Sequence, residues 1–295
     1  MDQAELLRKK AQEHREKAVD ERVPAVEGRP VRVISITSGK GGVGKTNVAA
    51  NLGIALSRLQ RKVLIFDTDL GLANIDVVLG LKPQYTIQHV LTGEKRIQDV
   101  IVEGPGGLLI LPASSGVDEV PELTESERLD LVAQFENWEI DLDVMILDTG
   151  AGIGPNVMYF NVVAQQIVVV VTPEPTSMTD AYALMKVLST RYQEKRFHLL
   201  VNMVRDEKQG LDVYRHLAKV ANRFLDISID FLGWVPHDPN LTKAVQKQTP
   251  ILDAFPNSPA AKTFAKLAQN MLEMEIPKSP KGNIQFLWRH VLRAG

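Results

Sequence analysis

Residues 38–46 read Ser38-Gly39-Lys40-Gly41-Gly42-Val43-Gly44-Lys45-Thr46. Gly39, Gly44, Lys45 and Thr46 have the spacing of a phosphate-binding loop, in which glycines let backbone N–H groups curl around phosphate oxygens. An apolar run precedes the loop and a helical stretch follows, so the loop opens a helix whose N-terminus adds positive potential. The chemistry this allows is binding and transfer of a phosphoryl group. Lys45 is suited to the β- and γ-phosphates of a nucleotide, and the Thr46 hydroxyl to Mg²⁺. Asp67 and Asp69 follow the apolar run 63–66, and Asp148 follows the run 144–147. A carboxylate at a buried strand end beside such a loop suits a water bound to Mg²⁺. Each acid alone could also be a helix cap; together they point to a metal–nucleotide site. Gly150 and Gly152 leave the segment after Asp148 free to respond to a γ-phosphate. Asn202 ends another apolar run, 199–201, as an adenine-bonding residue or as an ordinary cap.

These residues need strands to carry them. Apolar runs lie at 31–36, 63–66, 108–111, 144–147, 167–171, 199–201 and 229–235. Several are apolar throughout, which suits strands buried on both faces. Helical patterns separate most of them, at 46–59, 126–136, 178–192, 211–225, 240–247 and 259–274. That alternation predicts an α/β fold, a three-layer P-loop NTPase with a mostly parallel central sheet and helices on both faces. Ligands then bind beyond the carboxyl ends of the strands. The expected organisation is an appendage at 1–30, a nucleotide-binding domain at 31–274, a Pro- and Lys-containing linker at 275–282 and a terminal helix at 283–295.

The second lysine, Lys40, in the run Gly39-Lys40-Gly41-Gly42-Val43-Gly44-Lys45-Thr46-Asn47, resembles the deviant Walker A motif of the MinD/ParA family of ATPases. The resemblance implies ATP and Mg²⁺ as cofactors and an ATP-dependent homodimer. It implies that Lys40 crosses to the partner's nucleotide, in the manner of an arginine finger supplied in trans. By motif position Asp69 matches the switch I aspartate that orients the attacking water, Asp67 sits nearer the metal's water shell, and Asp148 matches the Walker B aspartate. Gly150 and Gly152 fall in switch II. Pro236, His237 and Asp238 match the adenine-side loop, and Glu174 matches a position that touches the partner's ribose. A solvated loop lysine and ordinary loop or cap residues are the plain alternatives. The Asn-Lys-x-Asp run of guanine-specific GTPases is absent.

The chain has 295 residues, of which 44% are hydrophobic and 24% charged, as in an ordinary globular protein. Its 34 basic and 36 acidic side chains give a net charge of −2, which argues against nucleic acid as a partner. There is no cysteine, so an iron–sulfur carrier of the same superfamily and any thiolate chemistry are excluded. No run is long enough to span a bilayer. A metabolic P-loop enzyme would need an acceptor site for which no constellation is present.

The two ends carry separate signals. Ile284, Leu287, Trp288, Val291 and Leu292 form one helical stripe with Phe286 near its edge, and no acid follows Glu275. Such a helix reads as an interfacial anchor for membrane lipids or as a helix packed on the core. MinD proteins end comparably, which implies a cytoplasmic protein held peripherally on the inner face of the cell membrane. Asp2-Gln3-Ala4-Glu5-Leu6-Leu7-Arg8 resembles, at Asp2, Gln3, Ala4, Leu7 and Arg8, the DQAxxLR segment of the family's flagellar-number regulators (the FlhG group, also FleN or YlxH). In that group the segment stimulates FlhF, a signal-recognition-particle-type GTPase. A solvated helical tail is the alternative. The resemblance also brings flagellar C-ring proteins or a flagellar transcription activator into the partner list. The other readings within the family are a cell-division MinD, which has no need of residues 1–30, and a DNA-partitioning ParA, which needs a basic dimer surface.

Overall fold

A computed structural model of the chain describes residues 31–71, 73–113, 122–136, 138 and 141–275. The predicted N-terminal segment, the linker beyond Glu275 and the predicted terminal helix lie outside the described residues. The chain runs β1 (Arg32–Ser38), α1 (Lys45–Arg58), β2 (Val63–Asp67), α2 (Ile75–Leu79), α3 (Ile87–Leu91), α4 (Ile97–Val100), β3 (Val102–Glu103), β4 (Leu109–Leu111), α5 (Glu125–Glu136) and β5 (Val144–Ala151). It continues with α6 (Pro155–Val163), β6 (Gln166–Val171), α7 (Pro175–Tyr192), β7 (Arg196–Val204), α8 (Glu207–Phe224), β8 (Ser228–Pro236), α9 (Pro239–Gln246), α10 (Ile251–Ala254) and α11 (Pro259–Glu273).

The strands form one sheet in the order β3-β4-β2-β5-β1-β6-β7-β8. Every pairing is parallel except β3 with β4. β1 therefore sits centrally, and all its residues are buried, which explains why Val33 to Ser38 are all β-branched or small. From β1 the chain goes to β2 on one side; from β5 it later crosses β1 to β6 on the other. That reversal puts a crevice at the carboxyl end of β1, where the glycine-rich loop begins.

Side chains of β1 alternate between the two layers. Ile34 and Ile36 pack with Val48 and Leu52 of α1 and Phe264 of α11. Val33 faces the other layer, with Phe66, Phe135 and Phe160. There the Phe66 ring meets Phe160 edge-on, 5.5 Å between centroids. α6 was not expected from the sequence. Its run Pro155-Asn-Val-Met-Tyr-Phe-Asn-Val-Val is apolar nearly all round because the helix is almost wholly buried, so it shows no polar face.

Arg32, the first residue of β1, ties the end of α11. Its Nη2 donates to Met274 O at 2.6 Å. Gln166 Nε2, at the start of β6, donates to Glu275 O at 3.3 Å. Residues 31 and 275 thus lie together at the end of the sheet opposite the glycine-rich loop.

Candidate nucleotide site

The loop between β1 and α1 is shaped by glycine. Gly42 and Gly44 have φ of 79° and 89°, a left-handed backbone that costs glycine nothing. Gly44 is also the N-cap of α1, so the free N–H groups of its first turn point into the crevice. A Cβ on Gly39 would lie 2.1 Å from the Asp180 carbonyl oxygen of α7, whereas one on Gly41 would meet nothing within 4 Å. The loop is therefore packed tightly at its start and open over its middle.

Asn202 braces this loop from below. It is 1% exposed; Nδ2 donates to Val43 O at 2.8 Å and Oδ1 accepts from Met203 N at 2.9 Å. Its amide thus spends one N–H on the loop. Met203, beside it, was missed by the sequence reading; it has φ of 59° and is 39% exposed. Asn47 O accepts from Asn51 Nδ2 at 2.8 Å, while Asn47 Oδ1 is buried without a partner.

The acids meet through strand pairing. Asp67 and Asp148 are paired residues of β2 and β5, both almost fully buried. Asp67 Oδ1 accepts from Asp69 N at 3.1 Å, and Oδ2 from Asn74 N at 3.2 Å and Ile75 N at 3.3 Å. Even so, burial first and the neighbouring Asp148 second push its carboxyl well above the usual range. Burial also raises Asp148, to about 7, against the opposing pull of the Thr46 hydroxyl and Lys45; Asp69 adds to the rise. Lys45 is lowered by burial, while Asp148 and Asp69 hold it up. Asp69 lies against switch II: a Cβ on Gly150 would stand 3.4 Å from Asp69 Oδ1.

Whether these residues suit Mg²⁺ is decided by one orphaned atom. Asp148 Oδ1 is buried and has no hydrogen-bond partner, beside the Thr46 hydroxyl. A buried carboxylate oxygen with nothing to accept from is the environment that a hydrated cation satisfies. Among the described residues no cluster of three or more His, Asp or Glu forms a metal cage. Mg²⁺ keeps several waters and shares its remaining positions with phosphate and one or two side chains, the part Asp148 and Thr46 would play.

Lys40 turns the other way from Lys45. Its Nζ lies 2.7 Å from Glu174 Oε2 and 3.1 Å from Thr176 Oγ1, at the N-terminus of α7. The loop lysine and the predicted ribose-side glutamate are thus brought together within one chain. On the base side, Pro236 ends β8 beside Val204, and His237 N donates to Val204 O at 2.8 Å. His237 is exposed. Asp238 is buried and accepts from Asn240 N at 2.9 Å and Ala260 N at 3.1 Å, so it caps α9 and holds the start of α11. Burial pushes its carboxyl up, but those bonds outweigh burial and leave it below the usual range. Asp2, Gln3, Ala4, Leu7 and Arg8, and Ile284, Phe286, Leu287, Trp288, Val291 and Leu292, lie outside the described residues.

A strand–loop–helix at the reversal point of a parallel sheet, with a buried acid behind the threonine hydroxyl, defines the class: a P-loop NTPase. The comparisons narrow it. Residues 30–272 match the ParA family, described as NUBPL iron-transfer P-loop NTPase. The chain is 44% identical over 257 residues to antiactivator FleN of Pseudomonas aeruginosa, covering 87% of this chain and 92% of that protein. It is 36% identical over 266 residues to the flagellum site-determining protein YlxH of Helicobacter pylori, covering 89% and 90%. The solved septum site-determining protein MinD of Pyrococcus horikoshii, complexed with Mg-ADP, superposes with a TM-score of 0.64 at 27% identity, covering 84% of this chain and 100% of that one. The chain belongs to the ParA/MinD family of P-loop NTPases and is an ATPase. No helix among the described residues is long and apolar enough to cross a membrane.

Proposed function

We propose that the chain is a MinD-like ATPase that regulates flagellar number and placement, working through an ATP-dependent dimer on the inner face of the cell membrane. The observation that carries the reading is the near full-length similarity to FleN and YlxH. Within the site, Lys45 and the loop amides bind the β- and γ-phosphates, with Thr46 and Asp148 holding Mg²⁺ and its waters and Asp67 behind them. Mg²⁺, when bound, neutralises phosphate charge. Asp69 orients the attacking water from its place against Gly150. Water adds to the γ-phosphorus as the bond to the β–γ bridging oxygen breaks, giving ADP and phosphate. Lys40 leaves Glu174 of its own chain and meets the developing charge on the partner's nucleotide, a contribution worth roughly 10³–10⁵ in rate for an arginine finger. Asn202, Pro236 and His237 border the base; Asp238 supports that border from within. Hydrolysis opens the dimer, and paired C-terminal helices lose the avidity that keeps them on lipid. The 1–30 segment stimulates the GTPase of an FlhF-type partner.

The test is liposome co-sedimentation of the full chain with ATP, ADP or no nucleotide, beside Lys40→Ala and a truncation after Pro280. Stimulation of an FlhF-type GTPase is measured in parallel, with Gln3→Ala as its control. ATP-dependent sedimentation lost in both variants, and stimulation lost in Gln3→Ala alone, is the expected pattern. Sedimentation indifferent to nucleotide removes the switch. Absence of GTPase stimulation removes the flagellar partner and leaves cell-division positioning as the better reading.

A further inference from the structure

Switch II is tied to the central strand at three points: before its glycines, among them and behind them. Thr149 Oγ1 shares its proton between Gly150 O at 3.0 Å and Ile36 O at 3.2 Å, and Gly152 N donates to Ser38 O at 2.9 Å. The third tie is Asn161 of α6, whose side chain is fully buried. Asparagine is a poor residue for a helix interior because its amide competes for backbone groups. Here the amide is satisfied across the helix–sheet boundary. Oδ1 accepts from Ser35 Oγ at 2.8 Å, and Nδ2 donates to Thr37 Oγ1 at 3.1 Å and to Val157 O at 2.7 Å. Ser35 and Thr37 alternate on β1 and share one face of it, both fully buried. Thr37 is followed by Ser38, whose hydroxyl donates to Lys40 O at 2.6 Å, so the network ends at the phosphate loop.

An apolar trio in these three places would fill the same space with little loss of stability, because burying polar partners brings only a small net gain. Apolar surfaces also slide on one another. An amide with three fixed partners is satisfied in one position only. We propose that Asn161 is a positioning residue for ATP hydrolysis. It pins α6 to β1, so that a γ-phosphate moves the glycines between Gly150 and Gly154 and leaves the helix behind them in place. The inference rests on the assignment of this site to ATP hydrolysis.

The test compares two changes at Thr37, each subtle enough to fold, with Asn161→Leu as the stronger variant. Thr37→Val keeps the shape and removes the acceptor for Nδ2; Thr37→Ser keeps the acceptor and removes a methyl. Single-turnover ATP hydrolysis, ADP affinity and hydrogen exchange over residues 149–163 with Mg-ADP or ATPγS are measured on the full chain. The expected result is a kcat lower by about tenfold in Thr37→Val and Asn161→Leu, equivalent to a modest change in barrier, with ADP affinity unchanged and Thr37→Ser close to wild type. Exchange in α6 rises in the first two variants with ATPγS bound. A packing role predicts the reverse order at Thr37, and that order overturns the proposal, as does a wild-type kcat in Asn161→Leu. A wild-type chain that binds ADP yet never hydrolyses ATP overturns both this inference and the hydrolytic reading; one that binds no nucleotide overturns the site itself.

Discussion

Lys40 Nζ and Glu174 Oε2 stand 2.7 Å apart in the same chain, although the family resemblance implies that both meet a second subunit. The pair is well exposed, 38% and 63% for the two side chains, so its contribution to stability is about 0–1 kcal/mol. Lys40→Ala and Glu174→Ala are therefore expected to melt within a few degrees of wild type. Their effects on association should differ from their effects on folding: Lys40→Ala abolishes ATP-dependent dimerisation in sedimentation velocity, and Glu174→Ala, which releases the lysine, weakens it less. Equal, wild-type dimerisation in both would show that Lys40 does not hold the dimer together.

The glycines of the loop separate packing from binding. Gly39 and Gly41 are two residues apart, yet a methyl on Gly39 strikes the Asp180 carbonyl at 2.1 Å while one on Gly41 enters open space. Gly39→Ala is expected to destabilise the fold by about 1–3 kcal/mol, as overpacking does, by pushing α7 away from β1. Gly41→Ala leaves stability near wild type and weakens nucleotide binding, since the space it fills is where phosphate would approach. Thermal melts and fluorescent ADP titration distinguish the two.

How much of this was legible in the sequence depends on whether a residue's work is local. Gly39, Gly44, Lys45 and Thr46 could be recognised because a phosphate loop is written in consecutive residues, and Asp67 and Asp148 because each ends an apolar run. Their pairing across β2 and β5 comes from strand order, which no local pattern encodes. Asn161 and α6 were missed for the same reason: a helix buried on nearly every side shows no periodicity, and the partners Ser35 and Thr37 lie more than a hundred residues away. The family resemblance implies a base-side place for Asp238; its carboxylate accepts from the amides of Asn240 and Ala260.

Asp148 makes the nucleotide-free protein sensitive to pH in an unusual direction. Its carboxyl is raised to about 7 in the fold, chiefly by burial, against about 3.9 for an unfolded aspartate. Between those values the folded chain holds a proton that the unfolded chain has released, so this group's contribution makes stability fall as pH rises from about 4 to about 7. Asp67, raised by burial and then by the neighbouring Asp148, acts in the same direction. Urea titrations of the nucleotide-free chain across that range should show the decline, and Asp148→Asn should flatten part of it. A decline of equal size in Asp148→Asn would place the effect elsewhere.

Asp238 has the opposite sign. Its carboxyl is held below the usual range, where amide bonds outweigh burial. Its stabilisation is thus full above about pH 4, the unfolded value, and is lost as pH falls through the lower folded value. Asp238→Ala removes the acceptor for two helix starts at once, and capping losses of about 0.5–2 kcal/mol each are expected to add. The same variant retains most of its ADP affinity if the residue supports the base-side loop from within. A loss of ADP affinity larger than the loss of stability would return Asp238 to direct contact with the nucleotide.

Arg32 joins the far end of the molecule to the strand that carries the site. Its guanidinium donates to Met274 O at 2.6 Å where α11 ends, and burial, followed by the nearby Arg61, lowers its pKa. A hydrogen bond from a charged donor contributes about 1.5–3 kcal/mol, and a carbonyl left buried without it costs a similar amount. Arg32→Ala is therefore expected to lower stability and to speed amide exchange over 268–275 before the rest of the fold responds. β1 is seven residues long, so only about 20 Å of fully buried strand separates this clasp from the phosphate loop. A shift at one end of so short and enclosed a strand is passed along it, because close-packed neighbours leave little room to absorb it. Exchange measured with and without Mg-ADP decides the matter: nucleotide binding should slow exchange at 268–275 in wild type and leave it unchanged in Arg32→Ala, whereas equal protection in both would confine the clasp to holding α11.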